Sequence, residues 1–411
     1  MANALTSQMY GDYNATSPLR PEAREAMHVA MGEIGNPSSI HGFGRAARKR
    51  IETARASILN DLGLPDYRLA FTSGASEALA TVLTPATQSL ATKQRATHLL
   101  IAPTDHVAAL QGHGFDKAAT TYLSVGRDGA IDTQALKKAL SALPEDAQTI
   151  VSVHGANNET GVLQPIDEIA ALCDVHQALF VCDLVQWVGR LPVGDARPAA
   201  IIVSAHKLGG PAGIGAIVYD PMRLHLITPL IRGGGQERGL RAGTENAIGI
   251  AGFAAALKTA CDTMAGEQQR LADLRDRFEH ELLATHPDAV IFGRGAARLA
   301  NTSCFAIPGR EAALALMQLD LDGIALSSGS ACSSGKVKAS HVLAAMDVPP
   351  SLAACALRLS LGFATTSADI DQLLTSVARW STPDRGLESP GSDKISRKNA
   401  NLTQSAIGES A

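Results

Sequence analysis

The chain has 411 residues, of which 45% are hydrophobic and 18% are charged, and its formal net charge at pH 7 is −4. This length predicts two domains rather than one small core, and the composition is that of an ordinary globular protein. The slightly acidic balance argues against nucleic acid or a membrane surface as the partner.

The chain is expected to stay in the cytoplasm, because no apolar run reaches the length of a membrane span and residues 1–7 lack the regions of a secretory signal. None of its cysteines has C-x-x-C spacing, so neither a zinc site nor a disulfide framework is predicted. Most of them are expected to fill the core. The cysteines are Cys173, Cys182, Cys261, Cys304, Cys332 and Cys355.

Apolar, β-branched runs alternate with helical patterns in the first part of the chain. The predicted strands are residues 99–102, 149–153, 179–182 and 201–203, and residues 165–177 form an amphipathic helix. Strands that alternate with helices predict an α/β fold with a mostly parallel sheet, covered by helices on both faces. In such sheets, ligands bind at the carboxyl ends of the strands.

The pattern changes after about Gly252. A long helix over residues 256–284, with a break at Gly266, precedes short strands near Val290, Ser303 and Ala325 and a helix over 367–380. This pattern predicts a second, smaller α+β domain. We therefore expect a large domain at 15–255 and a small domain made of 1–14 with 256–382. Residues 383–411 are expected to be a disordered tail, because they are too polar to bury a core.

Lys207 and Asp183 each follow an apolar run, where a buried strand meets its loop. Pyridoxal phosphate (PLP) requires such a pair. A lysine holds its aldehyde as a Schiff base, and a carboxylate keeps its pyridine nitrogen protonated. The alternative is a lysine that is merely solvated beside a glycine loop.

The segment Phe71-Thr-Ser-Gly-Ala-Ser-Glu opens a helix after a short strand-like run. Its backbone N–H groups and the Ser76 hydroxyl suit a phosphate dianion, although a simple serine cap is an equal alternative. Ser204 and His206 flank Lys207 and complete a phosphate site, although each is more often structural when taken alone.

Three further polar residues follow strand ends. His106 can stack on an aromatic ring and shuttle protons, or it can be an ordinary core histidine. Asn158 can bind a ring hydroxyl, although an asparagine-rich turn needs no function. Gln186 can reach the same edge of the ring.

Cys332 lies among small polar residues, where Lys336 and Lys338 would favour its thiolate. A surface cysteine without a task is the alternative. Arg358 interrupts an apolar run and needs an anionic partner, which is either a substrate carboxylate or an internal salt bridge. The glycine-rich segment after Gly233 lacks the order of a dinucleotide fingerprint. It predicts close approach of the backbone to a ligand or a second subunit.

Together these residues form motifs from Tyr10 to about Trp380. The motifs are Tyr10-Gly-Asp-Tyr-Asn-Ala-Thr, Gly35-Asn-Pro-Ser-Ser-Ile-His, Thr72-Ser-Gly-Ala-Ser-Glu, Asn157-Asn-Glu-Thr-Gly, Asp183-x-x-Gln186, Ser204-x-His-Lys207, Arg241-Ala-Gly-Thr244 and Ser327-Ser-Gly-Ser-Ala-Cys332. In this combination the chain resembles the PLP-dependent cysteine desulfurases of the NifS/IscS type, in the class V aminotransferase superfamily. The resemblance implies the type I fold of PLP-dependent transferases.

The resemblance also implies a role for each residue. Lys207, Cys332 and His106 are the catalytic residues, and Cys332 takes the sulfur of L-cysteine as a persulfide while L-alanine is formed. The residues that it assigns to PLP are Ala75, Ser76, His106, Asn158, Asp183, Gln186, Ser204, His206 and Lys207, with Thr244 reaching the phosphate from the other subunit of a homodimer. Arg358 and Asn158 bind the substrate carboxylate.

The implied acceptor of the sulfur is a scaffold protein of iron–sulfur cluster assembly or another protein. With that scaffold, Cys332 is a candidate shared, transient ligand of the cluster. The alternatives are a selenocysteine lyase or another class V PLP enzyme, and a non-catalytic sulfur-transfer scaffold. The physiological acceptor and the pathway do not follow from the sequence.

Overall fold

A central sheet and smaller groups of strands build the part of the chain that the computed structural model describes, which is residues 8–144, 146–226, 228–329 and 339–380. Cys332 and the predicted tail lie outside these residues. The strands and helices of the described residues belong to the unit that ends at Arg379.

In chain order, the described residues form the strands β1 (Met9–Tyr10), β2 (Arg68–Thr72), β3 (Thr87–Ser89), β4 (His98–Ile101), β5 (Thr120–Tyr122), β6 (Thr149–His154), β7 (Leu179–Asp183), β8 (Ala200–Ser204), β9 (Gly215–Tyr219), β10 (Leu224–Leu226), β11 (Val290–Phe292), β12 (Thr302–Ala306), β13 (Ile324–Ala325) and β14 (Ala356–Ser360). The helices are α1 (Pro21–Met31), α2 (Gly42–Asp61), α3 (Ala75–Val82), α4 (Val107–Leu110), α5 (Thr133–Ser141), α6 (Ile166–Val175), α7 (Ala247–Thr285), α8 (Ala312–Leu321), α9 (His341–Ala345), α10 (Pro350–Ala353) and α11 (Ser367–Ala378).

The central sheet has the strand order β2-β9-β8-β7-β6-β4-β5. Five neighbouring strands, from β8 to β5, are parallel, whereas β9 runs antiparallel to both β2 and β8. The four strands predicted from apolar runs are β4, β6, β7 and β8, so the predicted mostly parallel sheet is confirmed.

Helices cover both faces of this sheet because its strands are apolar on both sides. In β8, Ile201 and Val203 pack in one buried cluster with residues of α2, α5, α6 and α7. Ile202 points to the opposite face, where the cluster contains residues of α3 and α4. This alternation follows from the two-residue repeat of side chains along a strand. A strand that is buried on both faces needs an unbroken apolar run, which explains why these strands were visible in the sequence.

The later part of the chain adds smaller sheets. Strands β11, β12 and β14 form an antiparallel sheet, and β1 pairs in parallel with β13. The predicted short strands near Val290, Ser303 and Ala325 correspond to β11, β12 and β13. The division of the chain into a large and a small domain stays a prediction.

The long helix α7 differs from its prediction. It begins at Ala247 rather than at residue 256, and it continues through Gly266, so the predicted break was wrong. A glycine costs a helix only about 1 kcal/mol relative to alanine. Buried residues on both sides of Gly266, such as Ala260 and Leu271, hold the helix by packing. Among the described residues, no helix is both long and apolar enough to cross a bilayer.

Candidate active site

A cavity of about 550 Å³ opens where the central strands end. The carboxyl ends of the parallel strands β6, β7 and β8 lie at one edge of the sheet, and the segments that follow β2 and β4 reach the same place. The predicted site residues that line the cavity are Ala75, Ser76, His106, Asn158, Asp183, Gln186, Ser204, His206, Lys207 and Arg358. The fold therefore brings together residues that are up to 283 positions apart (358 − 75).

Lys207 ends the 3₁₀ turn Ala205–Lys207, which directly follows β8. Its Nζ donates hydrogen bonds to the carbonyl oxygens of Asn14 and Ala15, both at 2.7 Å. The N-terminal segment is held against this turn by a further bond, from Ser17 N to the carbonyl of His206 at 2.8 Å. The ammonium group is thus oriented by backbone carbonyls at the wall of the cavity.

Asp183 is the last residue of β7, and its Oδ1 accepts a hydrogen bond from Val185 N at 2.9 Å. Burial raises the pKa of its carboxyl group to about 6, and the charge of Asp105 acts in the same direction. Lys207 and His154 oppose this shift. Because desolvation disfavours the ionised carboxyl group, a cation placed against Asp183 would stabilise that ionised form.

Another group of residues in the cavity lining suits an anion. Helix α3 begins there after Gly74, and no side chain caps its first turn. The first N–H groups of a helix have no partner inside the helix, so those of α3 are donors for a ligand in the cavity. Ser76, Ser204 and His206 line the same cavity. Burial, together with the charge of Lys207, lowers the pKa of His206 to about 4, so this imidazole is neutral at pH 7.

His106 caps α4, because its Nδ1 accepts a hydrogen bond from Ala108 N at 3.1 Å. The proton of the neutral ring must therefore lie on Nε2. Burial lowers the pKa of His106, and the charges of Lys207 and His341 lower it further. The cavity thus contains a neutral imidazole with a defined tautomer.

Arg358 lies in the buried strand β14 and has the internal salt bridge that was one of its two predicted alternatives. Its Nη2 donates to Asp12 Oδ1 at 2.6 Å, and its Nη1 donates to the carbonyl of Asn158 at 3.0 Å. Its buried Nε has no hydrogen-bond partner among the described residues. A buried donor without an acceptor costs free energy, so the guanidinium retains the capacity to bind a further anion in the cavity.

Gln186 is fixed at the cavity wall by two neighbours. Its Nε2 donates to the carbonyl of Asn14 at 2.9 Å, and its Oε1 accepts from Nη1 of Arg190. Burial lowers the pKa of Arg190 to about 10, with the charge of Arg358 acting in the same direction. The amide of Gln186 is therefore held in one orientation at the cavity.

Of the predicted residues that the structure describes, Thr244 is not part of the cavity lining. Thr244 is exposed, and its segment is tied to the start of α3 because Arg241 Nε donates to Glu77 Oε1 at 3.2 Å. Cys332 lies outside the described residues. Among the residues that are described, no group of three or more His, Cys, Asp or Glu side chains could hold a metal ion.

Asn14 is a buried residue of the site that the sequence reasoning missed. Its Nδ2 donates to the carbonyl of Asn158 at 3.1 Å and to Thr302 Oγ1 at 2.9 Å. Its own carbonyl accepts from both Gln186 and Lys207. Asn14 therefore connects residues from distant parts of the chain, and the motif that begins at Tyr10 was the signal that pointed to this segment.

The buried pair Asp105 and His154 was also missed. Asp105 Oδ1 lies 2.7 Å from His154 Nδ1, and its Oδ2 accepts from Ser152 Oγ at 3.1 Å. The Gln164 Oε1 accepts from Ile131 N at 2.8 Å, so the Gln164 Nε2 faces His154 Nε2 and donates to it. Asp105 and His154 thus form a hydrogen-bonded pair at the site, and His154 is the register partner of Asp183 in the neighbouring strand.

Glu159 is a buried acid beside the cavity, with 2% of its surface exposed. Its Oε2 accepts a hydrogen bond from Ser340 Oγ at 2.5 Å. Burial raises the pKa of Glu159 to about 7, whereas Ser340 and the charge of Arg358 lower it. Sequence reasoning missed this burial, because Glu159 lies in a polar motif that is typical of a solvated turn.

The free energy of unfolding is expected to depend on pH through Glu159. Its carboxyl pKa is 4.5 when unperturbed and about 7 in the fold, so the native protein retains a proton that the unfolded chain releases between these values. Stability from this group is fully present below pH 4.5 and is lost as pH rises to about 7. The loss corresponds to up to about 3 kcal/mol.

Urea unfolding of the wild type and of Glu159→Gln at pH 5 and pH 8 measures this contribution. The variant has no titrating group at this position, so its stability should fall less between the two pH values. Equal pH dependence in both proteins would contradict the raised pKa.

Comparisons with known proteins show the family of this chain. Residues 9–373 match the family model described as aminotransferase class V. The chain is 38% identical to the cysteine desulfurase IscS of Dictyoglomus turgidum, over 91% of this chain and 95% of that protein. It is 40% identical to a cysteine desulfurase of Cereibacter sphaeroides, over 89% of this chain and 94% of that protein.

A solved structure gives the same result for the fold. The NifS-like protein from Rickettsia africae superposes with a TM-score of 0.77 at 31% identity, covering 90% of this chain and 98% of that one. The predicted fold class and the predicted family are therefore confirmed. This chain belongs to the class V aminotransferase family and, within it, to the cysteine desulfurases related to IscS and NifS.

Proposed function

We propose that this enzyme uses PLP to remove sulfur from L-cysteine, releasing L-alanine and leaving the sulfur as a persulfide on Cys332. The observation that carries this proposal is that Lys207, Asp183 and the uncapped start of α3 line one and the same cavity. These are an amine, an acid and an anion site, which are the three groups that PLP requires.

The residues of the cavity fit PLP by their chemistry. Desolvation raises the pKa of the Asp183 carboxyl group, and a pyridinium N–H would stabilise the ionised form of that group. The N–H groups of α3, with Ser76, Ser204 and neutral His206, offer donors to a phosphate dianion. Lys207 can bind the aldehyde covalently. Bound there, PLP would supply an electron sink for reactions at the α-carbon of an amino acid.

Lys207 and His106 are the groups of this cavity that can move protons. As a neutral amine Lys207 Nζ can accept a proton of the substrate, and as an ammonium group it can donate one. His106 is neutral and holds its proton on Nε2, so it can act as a proton donor in the cavity that it lines. Proton transfer by such positioned groups typically contributes about 10²–10⁴-fold to the rate.

Arg358 is the group that would bind the carboxylate of L-cysteine, together with Asn158. Its unpartnered Nε and its position at the cavity wall support this role. Asp12 already holds Nη2 of the same guanidinium, which keeps the side chain in one orientation before substrate arrives. A preorganised guanidinium binds a carboxylate with less loss of side-chain entropy.

Cys332 is the proposed acceptor of the sulfur. Its thiolate Sγ forms a bond to the sulfur of the substrate, the C–S bond of the substrate breaks, and its electron pair remains on the carbon side. That carbon then takes a proton, so the products are L-alanine and a persulfide. The thiolate needs no external oxidant in this step, because the sulfur is transferred without its bonding electrons.

Mass spectrometry after incubation with L-cysteine tests this proposal. The Cys332 peptide should gain one sulfur atom, and borohydride reduction of the resting enzyme should attach the cofactor to the Lys207 peptide. A holoenzyme that releases L-alanine while the Cys332 peptide stays unmodified would refute the proposed mechanism.

The proposed assembly is a homodimer in the cytoplasm, in which Thr244 reaches the PLP phosphate of the other subunit. The exposure of Thr244 and the tie between Arg241 and Glu77 at the start of α3 support it. The proposed acceptor of the persulfide sulfur is a scaffold protein of iron–sulfur cluster assembly, with Cys332 as a transient ligand of the cluster. The scaffold protein as acceptor and Cys332 as a cluster ligand are both implied by the resemblance to the cysteine desulfurases of the NifS/IscS type.

A further inference from the structure

Glu159 lies between the two ends of the segment in which Cys332 is found. On one side, residue 327 pairs with β14, through hydrogen bonds between the backbones of Ser327 and Arg358 at 2.7 and 3.3 Å. On the other side, Ser340 caps α9 by accepting a hydrogen bond from Leu343 N at 3.1 Å. The chain leaves the described structure after Gly329 and re-enters it just before Ser340.

The carboxylate of Glu159 contacts both ends. Its Oε2 accepts the hydrogen bond of Ser340 Oγ, and the same Oε2 lies against the backbone of Gly329. A Cβ at position 329 would overlap this oxygen and would meet Ser340 Cβ at 3.3 Å. A glycine fits at position 329 because the Glu159 side chain occupies the space that a Cβ would need.

Two ionisable groups interact with Glu159. Arg358 of β14 is the cation that acts on it, and the buried thiol of Cys304 on β12 is a titratable neighbour. Glu159 is not placed to reach substrate directly, since it does not line the cavity, whereas Ser327, Ser328 and Gly329 do. Its contacts instead fix the position of the chain on either side of Cys332.

We propose that Glu159 is a positioning residue that holds together the two ends of the Cys332 segment and so sets how the thiol meets the substrate. This inference rests on the proposed function, because it takes Cys332 as the acceptor of sulfur. It predicts that loss of the Glu159 contacts slows sulfur transfer and leaves binding of L-cysteine unchanged.

Single-turnover experiments on the holoenzyme separate these two events. The change in cofactor absorbance on adding L-cysteine reports substrate binding, and quenched mass spectrometry reports the rate of persulfide formation on Cys332. Glu159→Ala and Gly329→Ala should each slow persulfide formation by about tenfold, as expected when one buried hydrogen bond is lost or displaced. The absorbance change should keep its wild-type concentration dependence.

The double variant gives the sharpest test. If Gly329→Ala acts by displacing the carboxylate, the Gly329→Ala change should cost little in a Glu159→Ala background, because the overlapping oxygen is gone. Glu159→Gln, which retains an acceptor for Ser340, should recover most of the rate. Ser340→Thr should likewise form persulfide faster than Ser340→Ala, since threonine retains the hydroxyl group.

Two matched controls lie away from the site. Gly295→Ala adds a Cβ where nothing lies within 4 Å, and Thr366→Ala removes the cap of α11 instead of that of α9. Both should form persulfide at the wild-type rate. The inference is overturned if Glu159→Ala and Gly329→Ala form persulfide at the wild-type rate. It is also overturned if these variants bind L-cysteine more weakly, as read from the absorbance change, to the same extent as they lose persulfide formation. A wild type without persulfide on Cys332 would instead refute the proposed function.

Discussion

Replacing Lys207 with alanine is expected to lower the turnover of L-cysteine by about three orders of magnitude or more, which is the range for loss of a group that moves protons and binds a cofactor. The reason is the placement of Nζ. It is held at 2.7 Å from the carbonyls of Asn14 and Ala15, at the wall of the cavity that contains Asp183. Alanine at this position leaves no amine there to attach PLP.

Lys207→Arg is the informative companion variant. Arginine retains a positive charge and hydrogen-bond donors, but its guanidinium stays protonated and forms no such covalent bond. Both variants should lose turnover, and borohydride should no longer attach the cofactor to the peptide that contains position 207. Lys258→Ala is the control, because Lys258 is 61% exposed and is paired with Asp262 on the surface of α7. Wild-type turnover in Lys207→Ala would refute the assigned role.

Replacing Cys332 with alanine should abolish persulfide formation and sulfur transfer, while PLP stays bound with its normal absorbance. Four of the five cysteines that the structure describes are poor substitutes. Burial raises the pKa of the Cys173, Cys182 and Cys304 thiols well above its usual range. Burial also raises the pKa of Cys261 to about 11. A protonated, buried thiol is a weak nucleophile, so none of these residues should replace Cys332.

Cys261→Ala provides the matched control, since Cys261 is the partly exposed one of these thiols and makes a 3.6 Å contact with the carbonyl of Asp61. It should transfer sulfur at the wild-type rate. Mass spectrometry of all cysteine peptides and the rate of L-alanine release measure both variants. Full sulfur transfer by Cys332→Ala would exclude the persulfide mechanism.

The strands that carry the site could be predicted because burial on both faces leaves an unbroken apolar run. The rule that ligands bind at the carboxyl ends of parallel strands then placed Asp183, His206 and Lys207 together. The start of α7 was less visible. Asn246 caps that helix by accepting from Gly249 N, but two glycines in its first turns weakened the helical pattern.

Contacts between distant segments could not be predicted in this way. Asn14 is polar and lies near the N-terminus, and its sequence neighbours say nothing about a partner 193 positions away. The salt bridge between Asp12 and Arg358 spans 346 positions, so the sequence left both alternatives for Arg358 open. Glu159 looked like a turn residue because its burial depends on Gly329 and Ser340, which the fold brings to it from 170 and 181 positions further on (329 − 159 and 340 − 159).

The antiparallel direction of β9 has a consequence for how the site assembles. The chain leaves β8 at Ser204, passes through Lys207 and re-enters the sheet at Gly215, which pairs directly with Ser204. The lysine turn is therefore closed by a short, local connection, whereas parallel neighbours need a long crossover. Local connections form early in folding because little chain entropy is lost in closing them. The carbonyls that hold Nζ come from 192 and 193 positions away. Closing the lysine turn therefore costs less chain entropy than bringing the N-terminal segment against it, so the hydrogen bonds that orient Nζ depend on contacts between distant parts of the chain.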